Sequence, residues 1–484
     1  MSGAPVVVVG GGPTGLTAAL LLARRGLEVL VLERHRAPYP LPRAVHLDDE
    51  VFRALQAAGV AGEVLALSRP LAGLRLLDRR HRTLAEFRRD GGSRPNGFPT
   101  GSLVHQPDLE GVLRAAVDSC PRVHLRPGAE VTGLLDDGGA PIVVVTDRDS
   151  GREERVPAAA VLGCDGANST VRALIGAAMR DLGPADRWLV LDVRSAVPLD
   201  MWPGVHQVCD ADRPATFMPV TGDRYRWEFR MAPGESVAEL TTPDRLAALL
   251  APVGLDGLEV VRAAEYTFRA QVADRWRAGR VLLAGDAAHL TPPFVGQGLG
   301  LGLRDAHQLT WKLAAVLSGE SGEELLDTHQ AEREPHARAL IRVALLLGRL
   351  MTGGGRGGNA ARRGLLSVVR RIPAVARLAT DSRTPPLAAG PLVDRRSRAG
   401  RRLPGTLVPQ PVVLAGSRSC PLDDVLGDGA AELSSDLVVR RADGTEIPIE
   451  DPTGTLTAWL RWGRADSVQV RPDRIVRSAV PRSG

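Results

Sequence analysis

Near the start of the chain a run of β-branched residues, Val6–Val9, breaks into Gly10-Gly11-Gly12-Pro13-Thr14-Gly15. An Ala/Leu-rich helical pattern over Thr14–Arg25 follows, and Gly26 stops it. Glu28–Leu32 then reads as a second strand, with Glu33 at its end. No other stretch restricts the fold as much. Four continuous β-branched residues suit a parallel strand buried on both faces. The glycines have mechanical roles: Gly10 allows the tight turn, Gly12 lets a pyrophosphate approach the backbone, and Gly15 lets helix and strand pack closely. Pro13 and Thr14 begin the helix, whose N-terminal N–H groups and partial positive charge suit phosphates. Glu33 can accept hydrogen bonds from ribose hydroxyls, and Arg34 follows it. The expected fold class is α/β, opening with a βαβ dinucleotide-binding unit. NAD and FAD satisfy this pattern equally.

The rest of the composition narrows the class without naming a ligand. With 484 residues, 44% hydrophobic and 24% charged, the chain is no disordered or collagen-like polymer and no small disulfide scaffold. Aromatics are only 4%, so the core is built mostly from Ala, Val and Leu. The net charge of +5 raises nucleic acid as a partner. However, Lys312 is the only lysine, and the Arg-Arg pairs, such as Arg24-Arg25 and Arg362-Arg363, are scattered among carboxylates with no basic tail. Cys120, Cys164, Cys209 and Cys420 lie far apart, with no C-x-x-C and no zinc spacing, so no metal site is expected. No apolar run approaches the ~20 residues that span a bilayer, and the N-terminus enters a strand at once. The expectation is a cytoplasmic protein with no membrane or nucleic-acid partner, monomeric or homodimeric.

Two further segments choose between the dinucleotides. They are Cys164-Asp165-Gly166-Ala167-Asn168-Ser169-Thr170-Val171-Arg172 and Gly279–His289, which contains Gly285-Asp286. Each sets an Asp in a sharp turn at the carboxyl end of a strand. A buried Asp needs partners; the ribityl hydroxyls of a flavin would supply them for Asp286. Elsewhere, Asp48 is a candidate N-cap for a helix over Asp48–Ala58, and Pro107–Val117 reads as a helix. Arg122–Leu134 alternates like one strand. Thr216–Val220 and Tyr225–Met231 read as a hairpin in which Tyr225, Trp227, Phe229 and Met231 share one face and Arg226, Glu228 and Arg230 the other. A long helix begins near Gly298. Beyond Met351 come a glycine loop at Gly353–Gly358, a basic amphipathic helix over Arg362–Leu378, a Pro/Gly/Arg-rich linker and a small mixed unit.

Together with Pro42-Arg43-Ala44, Gln106-Pro107-Asp108-Leu109-Glu110, Gly296-Gln297-Gly298 and Gly302-Leu303-Arg304-Asp305-Ala306, these segments resemble the single-component FAD-dependent aromatic hydroxylases of the p-hydroxybenzoate hydroxylase class. The nearest likeness is to 3-(3-hydroxyphenyl)propionate hydroxylases and to hydroxylases that tailor aromatic polyketides in antibiotic biosynthesis. It covers roughly residues 5–345, and Arg471-Pro472-Asp473 resembles the family's closing motif. The resemblance implies a Rossmann-like FAD-binding domain (residues 1–70, 100–175 and 275–385) interleaved with a β-sheet substrate domain (71–99 and 176–274). Residues 386–484 would then be a linker and a degenerate thioredoxin-like domain. It also implies FAD, NADPH or NADH as reductant and O2, with a flavin C4a-hydroperoxide hydroxylating a phenol. The flavin would carry the redox chemistry while the protein supplies position and a dry pocket.

By the same resemblance, Gly10, Gly12, Gly15 and Glu33 hold the ADP half, and Val131 meets the adenine by main chain. Arg43 sits near the pyrophosphate or an incoming NAD(P)H, and Gln106 reaches the ribityl or phosphate region. Asp165 orders its own turn, and Gly285 and Asp286 meet the ribityl chain. Pro293, Gly296, Gly298 and Leu299 pass along the isoalloxazine, where the helix N-terminus favours an anionic reduced flavin. His46 and Tyr225 are the candidate catalytic residues; the ordinary imidazole pKa near 6.5 suits His46 to accept a phenol's proton. Phe217, Pro219, Trp227, Pro292 and Phe294 are candidate substrate contacts. The residues leave open a Baeyer–Villiger or dearomatising oxidation, and a non-catalytic flavin- or metabolite-binding protein.

Overall fold

The computed structural model describes residues 3–38, 44–251, 257–352, 384–394 and 402–482. Arg43, the Gly353–Gly358 loop and the expected Arg362–Leu378 helix lie outside them. The Val6–Val9 run is the centre of a six-stranded sheet. Its spatial order is Arg277–Ala278, Val281–Leu283, Ala160–Gly163, Val6–Val9, Val29–Glu33, Val123–Pro127, parallel except at the first, edge pair. Every residue of the Val6–Val9 strand is buried, as a strand covered on both sides must be. One face is covered by the helices Pro13–Arg24, Gln106–Asp118 and Gly298–Leu317 in a core of Val, Leu and Ala. The other face carries a three-stranded meander of Ala129–Asp137, Ala140–Asp147 and Glu153–Pro157.

The expected single strand over Arg122–Leu134 is two. Gly128, at φ +78°, breaks it. Val123–Pro127 stays in the six-stranded sheet, while Ala129–Asp137 leaves for the meander. Alternation of side chains is the same in both sheets, so it carried no sign of the change of partner.

A seven-stranded sheet, largely antiparallel, makes the second layer. Its order is Leu258–Phe268, Asp186–Ser195, Arg224–Arg230, Ala215–Pro219, Val205–Val208, Gly73–Leu77, Thr83–Arg88. One face is closed by the short helices Val237–Leu240 and Pro243–Leu250, which complete an apolar core with Leu189, Leu191, Phe217, Tyr225, Trp227 and Phe229. The opposite face looks onto the first layer.

The C-terminal unit is a five-stranded sheet, Glu446–Pro448, Val438–Arg441, Ala431–Ser434, Ala465–Val470, Val476–Pro481, with the helix Thr455–Gly463 against it. Every described pairing in it is antiparallel. Buried ion pairs seat this unit on the rest. The Arg471 guanidinium donates to both Glu332 oxygens at 2.8 and 3.1 Å, and Lys312 Nζ reaches the same carboxylate at 2.8 Å. Arg53 donates to both oxygens of Asp423 at 2.9 and 2.6 Å. Such charges must be paired to be buried at all.

Candidate functional site

A single cavity of about 1140 Å³ runs from the glycine turn to the inner face of the seven-stranded sheet. That exceeds the ~300–1,000 Å³ of a usual one-ligand pocket and suits a dinucleotide together with a second molecule.

At one end the backbone makes the site. Gly10 holds φ +106°, and a Cβ there would overlap the Cys164 carbonyl. A Cβ on Gly15 would overlap the Gly10 carbonyl, so this glycine serves the packing of helix on strand. Gly12 differs: a Cβ there meets no protein atom within 4 Å, so its open side faces the cavity. Gly12 is also the N-cap of Pro13–Arg24 and provides no side-chain cap, which leaves the helix N-terminus available to an anion. Glu33 is buried at the cavity wall; its Oε2 accepts from Gly11 N–H at 2.7 Å and its Oε1 from His35 N–H at 2.8 Å. Each oxygen keeps a further lone pair for a hydroxyl. Arg34 and Val131 also line this end.

Arg114 was missed from the sequence. It lines the cavity and donates to the Gly11 carbonyl at 3.1 Å, placing a cation beside the glycine turn. The signal was present: Gln106, Glu110 and Arg114 fall at i, i+4 and i+8 on one helix face. Gln106 accepts from Ala44 N–H and donates to Glu110, both at 2.8 Å.

Midway, two acidic turns meet the cavity. Asp165 spends its oxygens inside its own turn, on the Ser169 hydroxyl at 2.5 Å and Val171 N–H at 3.0 Å. Asp286 lines the cavity within the turn Gly285–Ala287. Asp305 braces that turn from the long helix: its Oδ2 accepts from Gly285 N–H at 3.0 Å and His289 Nε2 at 2.7 Å, and its Oδ1 from Arg333 Nε at 2.7 Å. Burial alone would raise its pKa, but the charges of His289 and Arg333 overcome this and hold it well below the usual carboxylate range. A Cβ on Gly302 would strike the Thr14 hydroxyl, so helix, turn and glycine loop lock at van der Waals distance.

Pro293, Gly296, Gly298 and Leu299 line the cavity where the helix Gly298–Leu317 begins. This start is braced from behind. Asp48 caps the neighbouring helix through Val51 N–H at 3.0 Å and accepts from Gln297 at 3.0 Å and Arg304 at 2.7 Å. His46 lies beside it, Nδ1 3.3 Å from the Gly296 carbonyl, and its buried Nε2 has no hydrogen-bond partner among the described residues. Burial and the Arg89 guanidinium push the imidazole down to about 4, so the expectation of an ordinary histidine pKa is corrected: His46 is neutral, a hydrogen-bond acceptor but a weak base.

The seven-stranded sheet corrects the expected substrate contacts. Phe217, Tyr225 and Trp227 point to the far face, into the core closed by the two short helices, and Pro219 is cross-strand partner to Tyr225 on that same face. The Tyr225 hydroxyl accepts from Leu199 N–H at 3.0 Å, away from the cavity. Pro292 is buried outside the cavity wall, whereas Phe294 lines it. The face that does look into the cavity carries the alternate residues. Met218, Arg226, Glu228, Val190 and Arg262 line it together with Trp188 and Phe294. Arg226 and Arg262 share Asp192 at 2.8 and 3.1 Å, and Arg262 donates to the Tyr266 hydroxyl at 2.5 Å.

Residues 3–344 match the model of the FAD binding domain family. The chain is 34% identical to a probable NADH-specific resorcinol 4-hydroxylase of Rhodococcus jostii, over 97% of this chain and 91% of the relative. It is 35% identical to a 3-(3-hydroxyphenyl)propionate/3-hydroxycinnamic acid hydroxylase of Klebsiella pneumoniae, over 99% and 92%. Among solved structures, a ternary complex of aklavinone-11 hydroxylase with FAD and aklavinone is similar at TM-score 0.79 and 25% identity, covering 99% of this chain and 96% of that one.

Proposed function

The chain belongs to the FAD binding domain family and is an FAD-dependent monooxygenase using NADH or NADPH and O2; on that premise we propose that it hydroxylates the ring of a phenol held against the inner face of the seven-stranded sheet. The observation that carries this reading is the continuity of one cavity from the open side of Gly12 to that face. FAD, when bound, supplies the electron transfer and the activation of oxygen.

The chain's own residues have separable tasks. The Gly10–Gly15 turn and Arg114 would hold the pyrophosphate, Glu33 the ribose, and Val131 the adenine side. Gln106 and Asp286 would meet the ribityl region. Asp305 and Asp48 act one step back, fixing the Gly285 turn and the start of the Gly298–Leu317 helix, whose N-terminal dipole favours negative charge on the reduced ring. Pro293, Gly296 and Leu299 would border the ring system, and Phe294, Trp188 and Met218 would exclude water from the substrate. Water in that space diverts oxygen chemistry to H2O2.

We assign residues 1–70, 100–175 and 275–385 to the FAD-binding unit and 71–99 with 176–274 to the substrate unit. This is supported by the two sheets drawing their strands from those intervals. Residues 386–484 serve packing; Cys420 is their sole cysteine, so no dithiol chemistry is assigned there. Four free cysteines favour a reducing, cytoplasmic setting, and among the described residues no helix is long and apolar enough to cross a membrane.

The test is direct. Purified protein should be yellow with bound FAD, and NADH or NADPH oxidation should rise on adding resorcinol or 3-(3-hydroxyphenyl)propionate with little H2O2 released. Bound FAD with no response to any phenol would overturn the reading.

A further inference from the structure

Glu228 lies in the cavity wall at 8% exposure, and its carboxylate makes no hydrogen bond to any described residue. Arg226 Nη1 is its near charge, 3.9 Å from Oε1. A carboxylate held in such a wall has acceptor capacity to spare, and the named hydrogen bonds of its charged neighbours run to other acceptors. Arg226 Nε and Arg262 Nη1 reach Asp192, and Arg262 Nη2 reaches Tyr266. On the next strands, the Thr216 hydroxyl donates to Gln207 at 2.8 Å, and Gln207 Nε2 to the Ala215 carbonyl at 3.0 Å. Val190 and Thr216 are the cross-strand neighbours of Glu228, and apolar Met218 lies diagonal to it on the same face. The carboxylate therefore faces a partly apolar space with its acceptor capacity unspent.

We propose that Glu228 accepts the proton of the substrate's phenolic hydroxyl, a catalytic role resting on the reading of this cavity as a phenol site. The phenol O–H bond breaks, its electron pair stays on the oxygen, and the proton forms a carboxyl O–H on Glu228. The resulting phenolate has raised electron density ortho and para to its oxygen, where an electrophilic oxygen is received. The proton returns to the oxygen of the product as it leaves.

The surroundings suit the task. Burial raises the Glu228 pKa, opposed by Arg226 and assisted by Asp192; a carboxyl raised in this way is a better base than an ordinary glutamate. Facing it are Arg226 on its own strand, Asp192 on the strand Asp186–Ser195, Arg262 and Tyr266 on Leu258–Phe268, and the neutral Thr216 and Gln207. His46, held near 4, is the weaker base. The same charge pattern favours a ligand that offers a hydroxyl, rather than a carboxylate, to this strand.

The experiment uses the FAD-loaded enzyme and whichever of resorcinol and 3-(3-hydroxyphenyl)propionate stimulates NADH or NADPH oxidation more. In Glu228→Gln, kcat/KM should fall by about 100-fold, the acidic limb of the pH profile should flatten, and FAD content should stay at wild-type level. Glu228→Asp should recover part of the rate and restore the limb. A Gln variant that keeps the wild-type rate and acidic limb overturns the proposal. So does loss of FAD in both variants, since that marks a structural role. A wild-type enzyme that responds to no phenol, these two included, overturns the phenol reading itself, and the two failures are thereby told apart.

Discussion

At the glycine turn the backbone makes the site; on the seven-stranded sheet the side chains do. Gly10 and Gly15 are fixed by contacts within the protein, and the helix end they shape meets the cavity beside the Glu33 and Arg114 side chains. Far from that turn, Arg226, Glu228 and Arg262 build the other end with charged groups on a largely antiparallel sheet. A backbone site tolerates almost no change at its glycines but says little about which ring is oxidised. A side-chain site on a rigid sheet can be rewritten one residue at a time without disturbing the fold. On the proposed reading, cofactor and substrate recognition therefore rest on separate physical foundations.

The largest effect is expected at Gly15. Gly15→Ala should abolish stable FAD binding, a loss of at least 100-fold, read as flavin absorbance per chain after desalting. Gly12→Ala, with no protein atom within 4 Å of the new methyl, should fold with an unchanged melting temperature and yet bind FAD more weakly. Equal destabilisation of both apoproteins would deny that Gly12 is kept open for a ligand.

Next in size is Asp305→Asn, which leaves Arg333 without its buried carboxylate. A cost of about 3–5 kcal/mol is expected, read by denaturant unfolding, with weaker FAD retention because the Gly285 turn loosens. Because the folded-state pKa of Asp305 is depressed, its contribution is present above the unfolded value of about 3.9 and is lost as pH falls below it. The variant should therefore lose less stability on acidification than the wild type.

Trp227→Ala should cost about 3–5 kcal/mol through the cavity it leaves in the far-face core, while turnover per bound flavin stays within about twofold. A selective loss of turnover would return Trp227 to the substrate site. The smallest effect is expected for Tyr225→Phe. It removes one hydrogen bond to Leu199 N–H, about 1 kcal/mol, with no change in the pH profile.

These variants also mark where the sequence was readable. The Val6–Val9 strand, the glycine turn, Asp48 as N-cap and the helix from Gly298 were legible because each signal is local: consecutive residues determine it. The alternation Tyr225, Trp227, Phe229 against Arg226, Glu228, Arg230 was also legible, and the two sets do lie on opposite faces. Which face meets the cavity was not, because that depends on two helices, Val237–Leu240 and Pro243–Leu250, closing over the aromatic side. Burying arginines and a glutamate at a cavity wall runs against the ordinary preference of those residues, so the aromatic face looked like the better candidate. His46 lines the cavity with its pKa lowered from the ordinary imidazole value, and neither its burial nor Arg89 is visible in the local sequence. The break at Gly128 was hidden for the same reason: glycine permits the turn but does not say which sheet receives the next strand.

The proposed insertion of an oxygen atom from O2 takes place in a phenol at the sheet end of the cavity. It is tested most directly by turnover under ¹⁸O2 with the stimulating phenol, followed by mass spectrometry of the product. The hydroxylated product should carry one ¹⁸O atom per molecule and form in near-stoichiometric amount with the NADH or NADPH consumed. An unlabelled product, or reductant consumed entirely as H2O2 with every phenol, would contradict it.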